Sequence, residues 1–359
     1  MSYRLKFDEP VDKGWRRIVH EQIASSIVAL SSGSDRATAI HETRKSMKRV
    51  RALLKLLRSG LSDDDYAREN RRYSDIGRLL STARDTTVLI ATATELSNTI
   101  AGKPRAVALS LVEDARRTAR RIAAPRSGRP GSEAEHVTAA IQALKKAAKA
   151  VDRLELRSTS FAVVRRGLAK SYRKGRIAMH HAYEENDDEA YHEWRKAVQA
   201  HWRHMALVSR AWPDLFAARM VLAKEMSDLL GDDHDLSALM QSLKKRWTQG
   251  RKTPGTDGLI EAALARQQSI REQLKAKGEA LYAEDTDVFV ERVETYWKAA
   301  KDARKLQRKS SRKTRQEAAA VPVPAPKPAT RAKGAARAAP AVKTGAGSQS
   351  RKKVARPVV

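Results

Sequence analysis

Cysteine is absent from the 359 residues, which excludes disulfides, thiolate metal sites and a cysteine nucleophile, and is compatible with a reducing compartment. Aromatic residues make up only 5%, with four phenylalanines, and no stretch has strand-forming composition at length. Long apolar runs are missing as well. None approaches the roughly 20 residues needed to span a bilayer, and the opening Met1-Ser2-Tyr3-Arg4-Leu5-Lys6 lacks the apolar core of a secretory signal. No phosphate-cradling glycine loop or serine-nucleophile motif is present. A cytoplasmic protein without membrane insertion is expected.

What the chain does contain is Ala, Leu, Arg, Lys and Glu, the strongest helix formers. It carries 71 Lys and Arg against 42 Asp and Glu, a net charge of +29. Such an excess repels itself in a compact state, so it points to an anionic partner: a nucleic acid, an anionic lipid or another polymer of phosphates.

Two regions differ in composition. Residues from about 11 to 300 read as successive helices. Residues 302–359 hold sixteen Lys or Arg against Asp302 and Glu317, hardly any large apolar side chain, and Pro322, Pro324, Pro326, Pro328 and Pro340. A segment of this kind buries too little surface to offset its ordering entropy and is expected to be disordered.

The helical region contains an internal repeat. His41-Glu42-Thr43-Arg44-Lys45 recurs as His192-Glu193-Trp194-Arg195-Lys196. Leu79-Leu80-Ser81-Thr82-Ala83-Arg84-Asp85 recurs as Leu229-Leu230-Gly231-Asp232-Asp233-His234-Asp235, and Arg16-Arg17 recurs as Arg165-Arg166. Three landmarks in one order at nearly constant separation imply a duplicated bundle. The expected fold is therefore all-α: two four-helix bundles related by a pseudo-twofold repeat. Repeat one covers about 11–125, with helices near 12–32, 36–60, 63–99 and 105–123. A helical connector follows at about 133–156. Repeat two covers about 160–300, with helices near 160–184, 187–212, 214–248 and 256–279 and a closing helix near 285–300. Short connections imply antiparallel neighbours.

The helix through His41 carries the clearest binding signal. At about 100° per residue, His41, Arg44, Lys48, Arg51 and Lys55 fall within roughly 80° of one another, flanked by Lys45 and Arg49. Val50, Leu53, Leu54 and Leu57 lie opposite and supply a core face. A merely solvated helix mixes signs at i,i+4, and aligned cations cost stability unless an anion is present. The second copy keeps His192, Arg195, Lys196 and Arg203 but has Gln199 and Trp202 where the first has Lys48 and Arg51. The preceding helix adds Arg165, Arg166, Arg173, Lys174 and Arg176, matching Arg16 and Arg17 in the first half.

These segments resemble the CHAD family, an α-helical domain named for its histidines. The resemblance rests on the paired His-Glu-x-Arg-Lys segments and the aspartate-ended turns Ala83-Arg84-Asp85 and Asp233-His234-Asp235. Tyr172-Arg173-Lys174-Gly175-Arg176 and the closing Phe289-Val290-Glu291-Arg292-Val293-Glu294-Thr295-Tyr296-Trp297 add to it. It spans about residues 3–301 and implies a basic pore that binds inorganic polyphosphate, at polyphosphate granules. On that reading the binding residues are the cations and histidines named above together with Arg84. Gln199, where the family has a lysine, and Arg203, where an aromatic is common, depart from the pattern.

Two other readings are weighed against this one. The Lys/Arg-rich tail could bind DNA or any polyanion by counterion release, although no base-reading motif is visible. A phosphohydrolase would need Asp232, Asp233, His234 and Asp235 as metal ligands with His41 or His192 as base. His180-His181 and His201-x-x-His204 lack the acidic companions of such a site. Asp85 and Asp235 fit better as buried partners of an Arg or His. No cofactor, no metal and no enzymatic activity are expected.

Overall fold

A computed structural model describes residues 3–32, 35–81, 84–123, 133–250 and 253–320, leaving out the side chains of 84, 85, 122, 123 and 317–320. The chain divides into two units, 1–309 and 310–359, and the packing below belongs to the first. The described residues form α-helices and one 3₁₀ turn and contain no strand. In chain order the helices are α1 (Val11–Ser32), α2 (Arg36–Leu56), α3 (Asp63–Leu79), α4 (Arg84–Ser97), α5 (Gly102–Ala123), α6 (Glu133–Val151), α7 (Ala162–Glu185), α8 (Asp188–Val208), α9 (Pro213–Thr248), α10 (Thr256–Leu281) and α11 (Thr286–Ala320).

Helix starts follow from local chemistry. Asp35, Ser62 and Asp187 are extended N-caps whose side chains accept the backbone N–H of Thr38, Asp65 and Ala190. Asn186 ends α7 in the left-handed conformation at φ 50°, where its short polar side chain is tolerated. The apolar face read from the sequence for α2 is the core face: Val50, Leu53, Leu54 and Leu57 are fully buried, each stabilising by about 1.5–3 kcal/mol.

The grouping of helices differs from the sequence expectation in three ways. The helix expected over 63–99 is two helices, α3 and α4, with the break after Leu80. The connector α6 is no mere linker: it packs on α1 and α3 and completes a four-helix group with α1–α3. The α4–α5 hairpin packs instead on α9 and α10, so residues expected in the first bundle contribute to a layer with helices expected in the second. Amphipathicity alone specifies that a helix buries a face, and α5 finds its partner across the repeat boundary. The closing helix, expected to end near 300, runs as α11 to Ala320, and residues 302–320 are helical rather than disordered. Ala, Arg, Lys and Gln favour helix there, and the first proline comes only at 322. The rest of the expected disordered tail, 321–359, lies outside the described residues.

Helices α7 and α8 pack on α2. His204 of α8 donates from Nε2 to the Ala52 carbonyl at 2.9 Å, and α7 crosses α2 at Gly167. A Cβ at Gly167 would lie 1.8 Å from the Leu56 carbonyl oxygen, so only glycine allows this backbone approach.

Within repeat two, the aspartate that is buried is Asp233, rather than the Asp235 expected from the repeat. Arg271 on α10 donates from Nε to Asp233 at 2.8 Å and from Nη2 to Asp188 at 2.7 Å, tying α8, α9 and α10 together. Asp235 is only half-buried, and the side chain of Asp85 lies outside the described residues. Asp233→Ala would leave the buried Arg271 guanidinium with Asp188 as its remaining carboxylate, beside Asn186. We expect a loss of about 2–4 kcal/mol in urea unfolding, and a midpoint within error of the parent would refute the assignment.

Candidate functional site

The cations of α2 do not share one environment. Arg44 donates to the Gly77 and Leu80 carbonyls at 3.2 and 3.1 Å and to the Ser81 hydroxyl, satisfying the last carbonyls of α3. Arg51 donates from Nε to Asn70 at 2.9 Å. Lys45 pairs with Glu42 at 3.1 Å, and His41 is exposed. Arg49 reaches Gln22, and its guanidinium lies 5.9 Å from the Tyr3 ring.

Lys55 marks where cations of α2 and α7 come together. Burial pushes its ammonium pKa down, and Lys174, Arg51 and Lys170 push it further; only Glu193 opposes them. Helix geometry explains the convergence. On α7, Arg166, Lys170, Arg173 and Lys174 share one face, and all four are exposed. Arg166 reaches Ser59 beyond the end of α2 at 3.4 Å. Lys174 pairs with Glu193 of α8 at 3.2 Å, and Lys196 pairs with Glu193 at 2.5 Å. The pairings leave these lysines half exposed. Aligned like charges at this density are costly without a bound anion.

Other expected site residues lie elsewhere. Arg165 and Arg176 point from the opposite side of α7 to Glu294 and Asp285, at 3.1 and 3.7 Å. Arg17 is held by Glu9 and Glu21 at 2.6 and 2.9 Å, which push its guanidinium pKa up. Arg16 donates to the Leu154 carbonyl at 2.6 Å and pairs with Asp12. Arg195 crosses Gly231 on α9, and His192 stacks on His234 with ring centroids 4.4 Å apart. Burial, then Lys196 and His234, push the His192 pKa down. Arg203 is pushed down by burial. It donates to the Gln199 carbonyl and lies 5.2 Å from the Trp202 ring, which Lys224 also approaches, at 5.7 Å. Lys48 is half-buried on the α2 stripe. The side chain of Arg84 lies outside the described residues.

Lys170 was missed by the sequence reading, though its spacing four residues after Arg166 and four before Lys174 was the available signal. Arg219 was missed too. It donates to His201 Nε2 at 3.1 Å and to the Leu281 carbonyl at 2.6 Å, and nothing local in the sequence announces this buried role.

The residues imagined as a hydrolytic site are engaged in different environments. Asp232 is exposed, Asp233 is bound to Arg271, and His234 stacks on His192. Among the described residues no group of three or more His, Asp or Glu side chains is placed to hold a metal ion, and no helix is long and apolar enough to cross a membrane.

His201 and His204 are buried beneath this surface. Burial pushes both pKa values down, His204 to about 3. An unfolded imidazole takes up its proton near about 6.5, so between the two values the unfolded chain binds the extra proton. Stability from His204 is therefore complete above about pH 6.5 and declines as pH falls toward 3. Urea midpoints measured from pH 7 to 4 should drop steeply for the parent and less steeply for His204→Gln, and parallel curves would contradict the assignment.

A family model described as the CHAD domain matches residues 20–244. Among solved structures, the chain is similar to the CHAD domain from the plant Ricinus communis, with TM-score 0.51 and 18% identity over 79% of this chain and 95% of that one. It is similar also to PptA from Streptomyces chartreusis, with TM-score 0.50 and 14% identity over 77% and 98% of the two chains. At these identities the likeness concerns the fold. No curated protein matches the chain.

Proposed function

This chain belongs to the CHAD domain family, and we propose that it binds inorganic polyphosphate, without catalysis, on the cationic surface formed by α2, α7 and α8. The observation that carries the reading is the crossing of α7 on α2 at Gly167 and Leu56, with Arg166 reaching Ser59 and Lys174 held by Glu193, which sets Lys170 and Lys174 near Arg51 and Lys55. Polyphosphate is a flexible polymer of like charges with no bases to read. Rigidly held cations suit it, with Arg supplying forked donors and Lys a point charge. Arg51, fixed by Asn70, and Lys174, fixed by Glu193, are held in place before any ligand arrives. In a cell this activity would place the protein at polyphosphate granules in the cytoplasm.

The test is an equilibrium titration of long-chain polyphosphate against duplex DNA over a salt series. Tight binding of polyphosphate at physiological salt, with DNA a weak competitor, supports the proposal; equal competition by DNA contradicts it.

One observation favours a second reading. On α11, Lys301, Lys305 and Arg308 are exposed on one side of the helix, a stripe suited to the phosphates of DNA. DNA binding that disappears when these three are changed to Gln, while polyphosphate binding persists, would assign the two polyanions to separate surfaces.

A further inference from the structure

A second cationic feature lies away from the surface described above. Between α3 and α6 an open groove of about 540 Å³ is lined by Leu79 and Ala143 over the buried Ile76, with Arg68, Arg71, Arg72 and Lys146 beside them. It runs along the side of α3 roughly opposite Asn70, the residue that accepts from Arg51 of α2.

Two of the guanidiniums are fixed by a buried anion. Glu69 is 1% exposed and accepts from Arg72 at 2.9 Å and from Arg68 at 3.3 Å. It therefore sets two cations one helical turn apart, about 5–6 Å in spacing. Asp75, also on the wall, is paired with Arg78. Arg71 and Lys146 are exposed on the two facing helices.

We infer that this groove docks an acidic amphipathic helix of a partner protein. Carboxylates on such a helix meet the exposed Arg71 and Lys146 on the two facing helices, beside Arg68 and Arg72, which are already paired with Asp65 and Glu69, and its apolar stripe covers Leu79 and Ala143. Charge complementarity selects this occupant. Polyphosphate has nothing to place on an apolar floor, and a flat lipid surface does not enter a concave groove. The inference does not depend on what the α2–α7–α8 surface binds.

The probe is a fluorescein-labelled peptide of about five helical turns, with leucines on one stripe flanked by glutamates at i,i+4. Three comparisons accompany it: lysine in place of glutamate, serine in place of leucine, and the full-length double variant Arg71→Glu/Lys146→Glu. The glutamate–leucine peptide is expected to bind the parent protein in the presence of saturating polyphosphate. It should bind at least about tenfold more weakly after either peptide change or to the variant, while the lysine peptide gains affinity for the variant. The variant should keep the parent's circular dichroism and polyphosphate affinity, since neither residue lies on the α2–α7–α8 surface. Failure of the glutamate–leucine peptide to bind, equal binding of the serine peptide, or indifference to the double variant would each overturn the inference.

Discussion

Changing Arg51, Lys55 and Lys174 together to Ala is expected to weaken polyphosphate binding at least about tenfold, and by about a hundredfold if two charge-assisted contacts are lost outright. Arg51 and Lys55 lie on α2 and Lys174 on α7, so the effect requires that the cations of the two helices act on one ligand. The salt dependence should change with it: losing three phosphate contacts lowers the log–log slope by about 2, taking the single-strand value per contact. Arg44 is left out because it closes the α3 terminus through Gly77, Leu80 and Ser81, and its removal would mix stability with binding. Arg51 gives up only its bond to Asn70, and Lys55 is relieved of like-charge neighbours, so the helical signal of the triple variant should match the parent. Unchanged affinity and unchanged slope would remove this surface from the account.

Gly167→Val is expected to be the most destabilising single change at the junction of the repeats. Even the first added carbon would sit 1.8 Å from the Leu56 carbonyl oxygen, a contact with rigid backbone that no side-chain rotation relieves. Overpacking of this kind costs about 1–3 kcal/mol where side chains can yield and more where they cannot. We therefore expect at least about 3 kcal/mol, read as a fall in Tm of about 6–12 °C. Because α7 must move off α2 to admit the valine, Lys170 and Lys174 would leave Lys55, and polyphosphate affinity measured below the new Tm should fall as well. A stable variant with parental affinity would show that the α2–α7 crossing does not position the site.

The parts of the fold legible in the sequence were those set by local pattern. Helix composition and the apolar face Val50, Leu53, Leu54 and Leu57 follow from spacing and side-chain chemistry. Partner choice does not. The α4–α5 hairpin has an apolar face that the sequence reading assigned to its own repeat, whereas it is satisfied by α9 and α10. The end of α11 was misjudged because the Lys/Arg content of 302–320 was read as a sign of disorder, while its helix propensity and the absence of proline govern its conformation. The candidate site shows the same division. The α2 stripe and the α7 run Arg173-Lys174 were visible from charge at helical spacing, and both contribute to the cluster. The stripe could not reveal that Arg44 is engaged with the end of α3, nor that Arg165 and Arg176 turn to Glu294 and Asp285. Those partners lie on other helices, and no periodicity within α2 or α7 encodes them.

The central claim is that folded helices receive the polyphosphate, and lysine footprinting on the full-length chain tests it most directly. Acetylation rates for each lysine, read by mass spectrometry with and without long-chain polyphosphate at physiological salt, report where the polymer lies. The account predicts strong protection of Lys55, Lys170 and Lys174, retained when duplex DNA is added in excess. Protection confined to lysines after residue 300, with Lys55, Lys170 and Lys174 reacting at their unbound rates, would contradict it.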